Sequence, residues 1–360
     1  MKRLLFTETN DLNYDRRMIR ICNSLQNEGY QVKLIGRKQA NSIAIISQPF
    51  RQKRIRCFFE KGKAFYIEYN IRLFCYLMFQ RFDAICAIDL DTILPVLFAT
   101  KLRLKKSLYD AHEYFTEVPE LIGRPFTKAI WGKIAKFSIP RITFCYTVGD
   151  SLATIFKDKY KKDFEVVHNF PLLIPDRKIK KHERMILYQG AVNVGRGLEQ
   201  LIEAIKDIDV QLVIAGYGDI QHKIKKMVEA KGYHYKVILS GYLTPGQLEE
   251  LTPKAFLGYN LLDAESLSYY YSLSNKFFDY IHAGVPSLSN PFPEYFLINE
   301  QFKVSHLIDL NTDEIKKAIL FLLENQDYYQ ELKCNCLKAR ETFNWQTEQQ
   351  KIVRIYNEQF

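Results

Sequence analysis

The chain has 360 residues, 47% of them hydrophobic and 26% charged, enough for about two average domains and unlike a disordered or fibrous chain. At this length roughly three quarters of the unfolded surface is buried on folding, so the core needs neither disulfide staples nor a structural metal. The net charge of +10 is uneven: residues 1–170 carry 29 basic against 17 acidic side chains, and residues 171–360 carry 22 against 24.

No uncharged apolar run reaches the ~18 residues that a spanning helix needs. The opening run is too short for a secretory leader before Glu8 and Asp11 intervene, and reads as a first strand. The seven cysteines are odd in number, lack C-x-x-C spacing and sit mostly in apolar runs, which predicts a reducing, cytoplasmic setting. Leu4–Phe6 is strand-like, Met18, Ile21, Cys22 and Leu25 mark one helix face, Gly29 ends that helix, and Val32–Ile35 returns as a strand. Ala84–Ile88, Ser107–Tyr109 and Ile142–Tyr146 continue the strands, and a helix opens at Ser151.

Pro171, Pro175 and the charged run Asp176–Arg184 read as a hinge. A second series of strands follows at Met185–Tyr188, Gln211–Ala215, Val237–Leu239, Ala255–Tyr259 and Pro286–Leu288. Helices are expected around 198–206, 220–231, 246–252, 274–283 and 313–324. Alternation of short apolar runs with helical periods predicts parallel α/β sheets. The stretch 343–360 reads as a last helix.

Open parallel sheets place ligands at the carboxyl ends of their strands, so the strand-to-helix turns carry the chemistry. Gly190-Ala191-Val192-Asn193-Val194-Gly195-Arg196-Gly197 joins a strand to a helix. Its glycines let backbone approach a phosphate, and Arg196 can fork onto phosphate oxygens; a plain βα connection is the other reading of the same turn. Gly216 and Gly218 follow the next strand. Ser274 is placed to cap a helix whose first turn holds Asn275 and Lys276, and a lysine there opposes the helix dipole unless an anion sits on it. Asp279 lies one turn on, where it could accept two ribose hydroxyls or form an i,i+3 ion pair with Lys276. Asp89-Leu90-Asp91 reads as an acceptor-facing loop or a helix N-cap rather than a metal site, since two carboxylates do not make a cation cage. Residues 50–81 and 101–106 mix Lys and Arg with aromatics, which suits an anionic inner-leaflet surface or a solvated basic face over a buried helix. No nucleic-acid-binding module is recognisable.

In their order and spacing these stretches resemble the GT-B glycosyltransferases, specifically retaining family 4. The resemblance is carried by the opening strand with Gly29-Tyr30-Gln31-Val32, Asp83 through Thr92, Tyr109-Asp110-Ala111-His112-Glu113, Val166-Val167-His168-Asn169-Phe170-Pro171, Gly190 through Gly197, Ala215-Gly216-Tyr217-Gly218, Asn275 through Pro286, and the helix entered through Trp345. It implies two Rossmann-like domains facing across a cleft, residues 1–168 on the acceptor side and 169–342 binding a nucleoside-diphosphate sugar, with 343–360 crossing back to the first. It also implies roles. Arg196 and Lys276 would neutralise the leaving diphosphate, with Gly190, Gly195, Gly197, Gly216, Gly218, Ser274 and Asn275 around the donor; Asp279 would hold the ribose and His112 would line the donor-sugar pocket. Asn10, Asp89, Asp91 and Glu113 fall on the acceptor side. No cofactor or metal is implied beyond the donor itself, and the acceptor would be a glycan or lipid-linked sugar in cell-surface polysaccharide synthesis, reached by an enzyme that is cytoplasmic or peripheral on the inner membrane face. Three positions depart from the family pattern. Glu8 to Asn13 replaces its glycine pair, Ala191 stands where many members have Arg, and Tyr271 stands at the first Glu of its Glu-x7-Glu pair. The alternatives are a GT-B nucleotide-sugar epimerase, for which Asp110, Glu113 and Glu117 are the candidate acid/base groups, and a silent nucleotide-sugar or membrane-surface binding protein.

Overall fold

The computed structural model describes residues 1–13, 15–40, 42–174 and 184–360. It divides into two compact units, Met1–Asn169 with Glu348–Phe360, and Phe170–Thr347. Of the expected hinge, residues 175–183 lie outside the described residues.

In the first unit, β1 (Arg3–Thr7), β2 (Gln31–Lys38), β3 (Arg51–Arg56), β4 (Ala84–Ile88), β5 (Lys106–Ala111), β6 (Phe144–Thr147) and β7 (Glu165–Val166) pair in parallel in the order β3-β2-β1-β4-β5-β6-β7. Helices α1 (Arg16–Asn27), α2 (Gly62–Met78), α3 (Ile93–Leu102), α4 (Pro125–Ser138) and α5 (Asp150–Tyr160) connect them. Every residue of β4 is buried, as expected of a parallel strand covered on both faces. Helix α1 begins where the Asp15 carboxylate accepts the Met18 N–H at 2.9 Å, and its buried stripe runs through Met18, Ile21, Cys22 and Leu25. β3, not expected from sequence, is an edge strand whose Arg-Gln-Lys-Arg-Ile-Arg buries only Ile55. Arg51, Lys53 and Arg56 are exposed, and charges on an edge strand are a common way to keep it from pairing with another chain.

The second unit repeats the plan. β8 (Met185–Gln189), β9 (Gln211–Ala215), β10 (Val237–Gly241), β11 (Leu257–Asn260), β12 (Ser287–Ser289) and β13 (Ser305–Leu307) are ordered β10-β9-β8-β11-β12-β13, all parallel. Helices α6 (Leu198–Ala204), α7 (Gln221–Ala230), α8 (Pro245–Leu251), α9 (Leu267–Tyr270), α10 (Asn275–Ala283), α11 (Pro293–Phe302), α12 (Thr312–Glu324) and α13 (Gln326–Thr342) complete it. In each unit the strand order reverses beside the first strand, and that crevice at the carboxyl ends is where such sheets take ligands.

Helix α14 (Trp345–Glu358) links the two units. Trp345 donates its backbone N–H to the Pro171 carbonyl at 2.8 Å, and Phe343 packs on Phe170 at 5.4 Å between ring centroids, so residues 343–347 belong with the second unit. From Glu348 onward the helix packs in the first, with Tyr356 against Phe6 at 5.8 Å and the Glu348 carboxylate accepting the His168 N–H at 2.8 Å.

Candidate functional site

The carboxyl end of the second sheet gathers the expected cations. Lys276, second residue of α10, is only 7% exposed and has no ion pair among the described residues. Its ammonium lies over the Tyr188 ring, 4.4 Å from the centroid. Burial first, and then the positive charge of Arg196, push its pKa well below the usual lysine value. Arg196 stacks over Tyr269 at 4.3 Å, and its buried Nε–H meets no acceptor among the described residues. Two neighbouring cations with aromatic support and no carboxylate are costly in an empty site, and they become favourable when an anion binds. The i,i+3 pair between Lys276 and Asp279 does not form, because the Asp279 carboxylate instead accepts from Gln189 Nε2 at 2.8 Å. Gln189 is itself held by the Thr252 hydroxyl at 2.9 Å. Ser274 precedes α10 with extended backbone as expected, yet no side chain caps that helix. The Ser274 hydroxyl is drawn away to Asn260 Oδ1 at 2.6 Å. Asn275 is exposed in the first turn.

Gly190, Gly195 and Gly197 all have positive φ, and the two loops after β8 and β9 zip together. Gly190 N–H donates to the Ala215 carbonyl at 2.9 Å and Val192 N–H to the Tyr217 carbonyl at 3.0 Å. A Cβ at Gly216 would stand 1.8 Å from the Gly190 carbonyl oxygen, and one at Gly218 would stand 2.3 Å from that of Val192. These two glycines therefore serve close loop packing before any ligand arrives. Tyr271, at the departing position, is half-buried and edge-on to Tyr270 at 4.9 Å.

The carboxyl end of the first sheet holds a separate charged cluster. Arg17, on α1, grips Asp110 at the end of β5 through two bonds of 3.0 and 2.9 Å, with side-chain exposures of 2% and 0%. Asp110 also meets His112 Nε2 at 3.0 Å, and His112 N–H donates to Asp89 at 2.9 Å. Burial disfavours the imidazolium, but Asp110 and Asp89 outweigh it and raise the His112 pKa to about 9; the ring is charged at neutral pH. Burial raises Asp110 as well, yet Arg17 and then His112 hold it below the usual aspartate range. Asp89 has a φ of +53°, a conformation that costs a non-glycine residue of order 1–3 kcal/mol and concentrates at functional sites. Neither aspartate caps the helical turn that follows, since no side-chain cap bond forms there. Asp91 instead accepts from the Thr9 hydroxyl, and burial raises its pKa to about 6. Asn10 lies exposed on the preceding loop, its carbonyl accepting the Arg37 N–H at 3.0 Å; Glu113 is exposed just beyond His112. Sequence reading missed Tyr188, Tyr269 and Arg17. The first two follow no motif, and Arg17 lies 93 positions from its partner.

Within residues 50–81, Phe65 is buried in the core, whereas Phe58, Phe59, Ile67, Ile71 and Phe79 are exposed. Phe58, Phe59, Ile67 and Ile71 line a groove of about 610 Å³. In 101–106, Leu102 and Leu104 are exposed, while Lys105 is tied to Asp83 at 3.3 Å and Lys106 lies over the Phe360 ring at 5.6 Å. No helix among the described residues is long and apolar enough to cross a membrane.

Residues 170–338 match the profile described as glycosyl transferases group 1. The matched stretch spans most of the second unit. An uncharacterised glycosyltransferase of Methanocaldococcus jannaschii is 31% identical over 81 residues, which is 21% of each chain. Among solved structures, a sucrose-phosphate synthase from Thermosynechococcus elongatus superposes with a TM-score of 0.80 at 15% identity, covering 100% of this chain and 99% of its own. HepE of Anabaena in complex with UDP and glucose gives 0.78 at 11%, covering 99% and 100%. WaaG, a glycosyltransferase involved in lipopolysaccharide biosynthesis, gives 0.75 at 15%, covering 98% and 99%. These likenesses establish the GT-B fold, two parallel α/β sheets, for the chain.

Proposed function

We propose that this chain is a retaining, metal-independent glycosyltransferase that moves a sugar from a nucleoside-diphosphate sugar to a glycan or lipid-linked acceptor in cell-surface polysaccharide synthesis. One observation carries the donor site: buried Lys276 feels the positive charge of stacked Arg196, and neither has an ion pair among the described residues. A leaving diphosphate supplies the missing charge, and preorganised cations of this kind stabilise a departing anion most strongly in a dry site. Lys276 and Arg196 hold the diphosphate over the Gly190–Gly197 loop, Asp279 takes the ribose with Gln189 behind it, and His112 is assigned to the donor sugar by the family resemblance. Asn10, Asp89, Asp91 and Glu113 receive the acceptor. UDP in the HepE structure makes uridine the first base to test. Epimerisation is the weaker reading because two of its acid/base candidates are occupied: Asp110 is locked by Arg17 and Glu117 pairs with Lys128 at 2.6 Å.

A thermal-shift panel of UDP, GDP, ADP, CDP and dTDP tests the donor site, since a ligand at 100 times its Kd stabilises by about 2.7 kcal/mol. A selective shift with one diphosphate is expected; none with any of the five rejects this reading. The exposed apolar and basic residues of 50–81 and 101–106 support a peripheral position on the inner leaflet of the membrane as part of this reading. Sedimentation with anionic vesicles should therefore fall as salt rises, and no binding at low salt removes the membrane from the proposal.

A further inference from the structure

The crossover from β2 to β3 contains Ser42-Ile43-Ala44-Ile45-Ile46-Ser47, and its three isoleucines are 54%, 40% and 54% exposed. Three exposed isoleucines in four residues would ordinarily be tucked under a neighbouring element, yet this segment is pinned outward. Ile46 N–H donates to Asn13 Oδ1 at 2.9 Å, and Asn13 Nδ2 donates to the Ala44 carbonyl at 2.9 Å. Arg54 Nη1 donates to the Ile43 carbonyl at 2.6 Å. The Ser42 hydroxyl and the Arg54 guanidinium both converge on the Asp11 carboxylate, and the Asp11–Arg54 pair is 4% and 7% exposed. A buried ion pair is an expensive way to fix a surface loop, which indicates that the loop's position has a use.

That position is the carboxyl rim of the first sheet. The loop holding Asp11 and Asn13 also carries Thr9, which bonds Asp91, so the isoleucines continue the line of acceptor-side residues. The rim is also cationic. Lys38 and Arg56 are register partners at the ends of β2 and β3, both exposed and without an ion pair among the described residues. Arg54, two residues before Arg56, is already neutralised by Asp11, so the free charge of the rim is that of Lys38 and Arg56. Apolar side chains next to unneutralised cations complement an amphiphile with a phosphate at one end of an aliphatic chain.

We propose that Ile43, Ile45 and Ile46, with Lys38 and Arg56, form the docking rim for a lipid-phosphate acceptor, the isoleucines taking the aliphatic chain and the cations its phosphate. This rests on the transferase reading and narrows its acceptor class. The fixed loop presents the isoleucines without an ordering cost on binding, and their position beside the acceptor-side residues assigns them to substrate rather than to bulk bilayer.

Dodecyl phosphate, kept below its micelle concentration and titrated calorimetrically into the whole chain, tests the rim directly. Wild type should bind it at least about tenfold more tightly than inorganic phosphate or dodecyl maltoside. The I43S/I45S/I46S variant should lose that advantage, and K38A/R56A should weaken dodecyl phosphate while leaving dodecyl maltoside unchanged. Both variants should keep the wild-type melting temperature and the diphosphate-induced shift. Equal binding of dodecyl phosphate and inorganic phosphate by wild type overturns the proposal. So does an isoleucine variant that loses sedimentation with phosphatidylglycerol vesicles but binds dodecyl phosphate normally, which would assign the loop to the bilayer. Failure of the transferase reading is seen separately, as the absence of any diphosphate shift in wild type.

Discussion

Lys276→Ala lowers kcat/KM for sugar transfer by about 100- to 1000-fold, the loss seen when one preorganised charge-stabilising group is removed, while the melting temperature stays at or above that of wild type. The two halves of this result have the same origin. Lys276 is buried at the start of α10, where burial, Arg196 and the helix dipole all oppose its charge,. With no anion bound the ammonium contributes little stability beyond its contact with Tyr188, a cation–π pair of order 0.5–2 kcal/mol. In the proposed function a bound diphosphate makes it the partner of the leaving charge. Arg196→Ala changes activity in the same direction. Steady-state transfer assays and thermal melts of both variants check the expectation, and a variant that melts early and retains wild-type kcat would show Lys276 to be structural.

Arg17→Met destabilises the first unit by about 3–5 kcal/mol, because it removes the two-bonded arginine partner of a fully buried carboxylate and leaves Asp110 with His112 alone,. Removing both charges in Arg17→Met/Asp110→Leu should recover most of the loss, since an apolar pair of similar volume often replaces a buried ion pair at little cost. The protein provides its own probe. Trp131 lies in the first unit and Trp345 in the second, so in a Trp345→Phe background denaturant-induced fluorescence change reports the first unit alone. The double variant should nevertheless be poorly active, because His112 loses the Asp110 carboxylate that orients its Nε2 and helps hold the ring charged. A single variant as stable as wild type would contradict the role assigned to the Arg17–Asp110 pair.

Much of the architecture was legible in the sequence because parallel strands buried on both faces read as uninterrupted apolar runs. Ala84–Ile88 and Gln211–Ala215 are found where the sequence placed them. Elements without that signature were missed. β3 is charged because it is an edge, β13 is three residues long, and α13 buries only Tyr329, Leu332, Cys336 and Ala339 along its 17 residues. As candidates, Arg196 was visible because it sits among glycines in a strand-to-helix turn, and Lys276 because it opens a helix whose dipole opposes its charge. Their aromatic supports were not, since Tyr188 reads as one more apolar residue of β8 and Tyr269 as one of three successive tyrosines. Arg17 reads as a solvated helix residue beside Arg16, and nothing local reveals that one arginine turns inward to a carboxylate on a distant strand. The expected Ser274 cap failed for a related reason: Asn260, on a neighbouring strand, competes for the same hydroxyl.

The diphosphate site is tested most directly by the proton stoichiometry of ligand binding. The nucleoside diphosphate selected by the thermal panel would be titrated calorimetrically at mildly alkaline pH, in two buffers with different heats of ionisation, into wild type and Lys276→Ala. Burial and Arg196 hold Lys276 below its usual pKa in the free protein, and an arriving diphosphate favours its charged form. Binding should therefore draw protons from solution and weaken as pH rises. Wild type should show buffer-dependent heat corresponding to net proton uptake, and Lys276→Ala should bind more weakly with that uptake gone. Equal affinity and equal proton stoichiometry in the two proteins would contradict the assignment of Lys276 to the diphosphate.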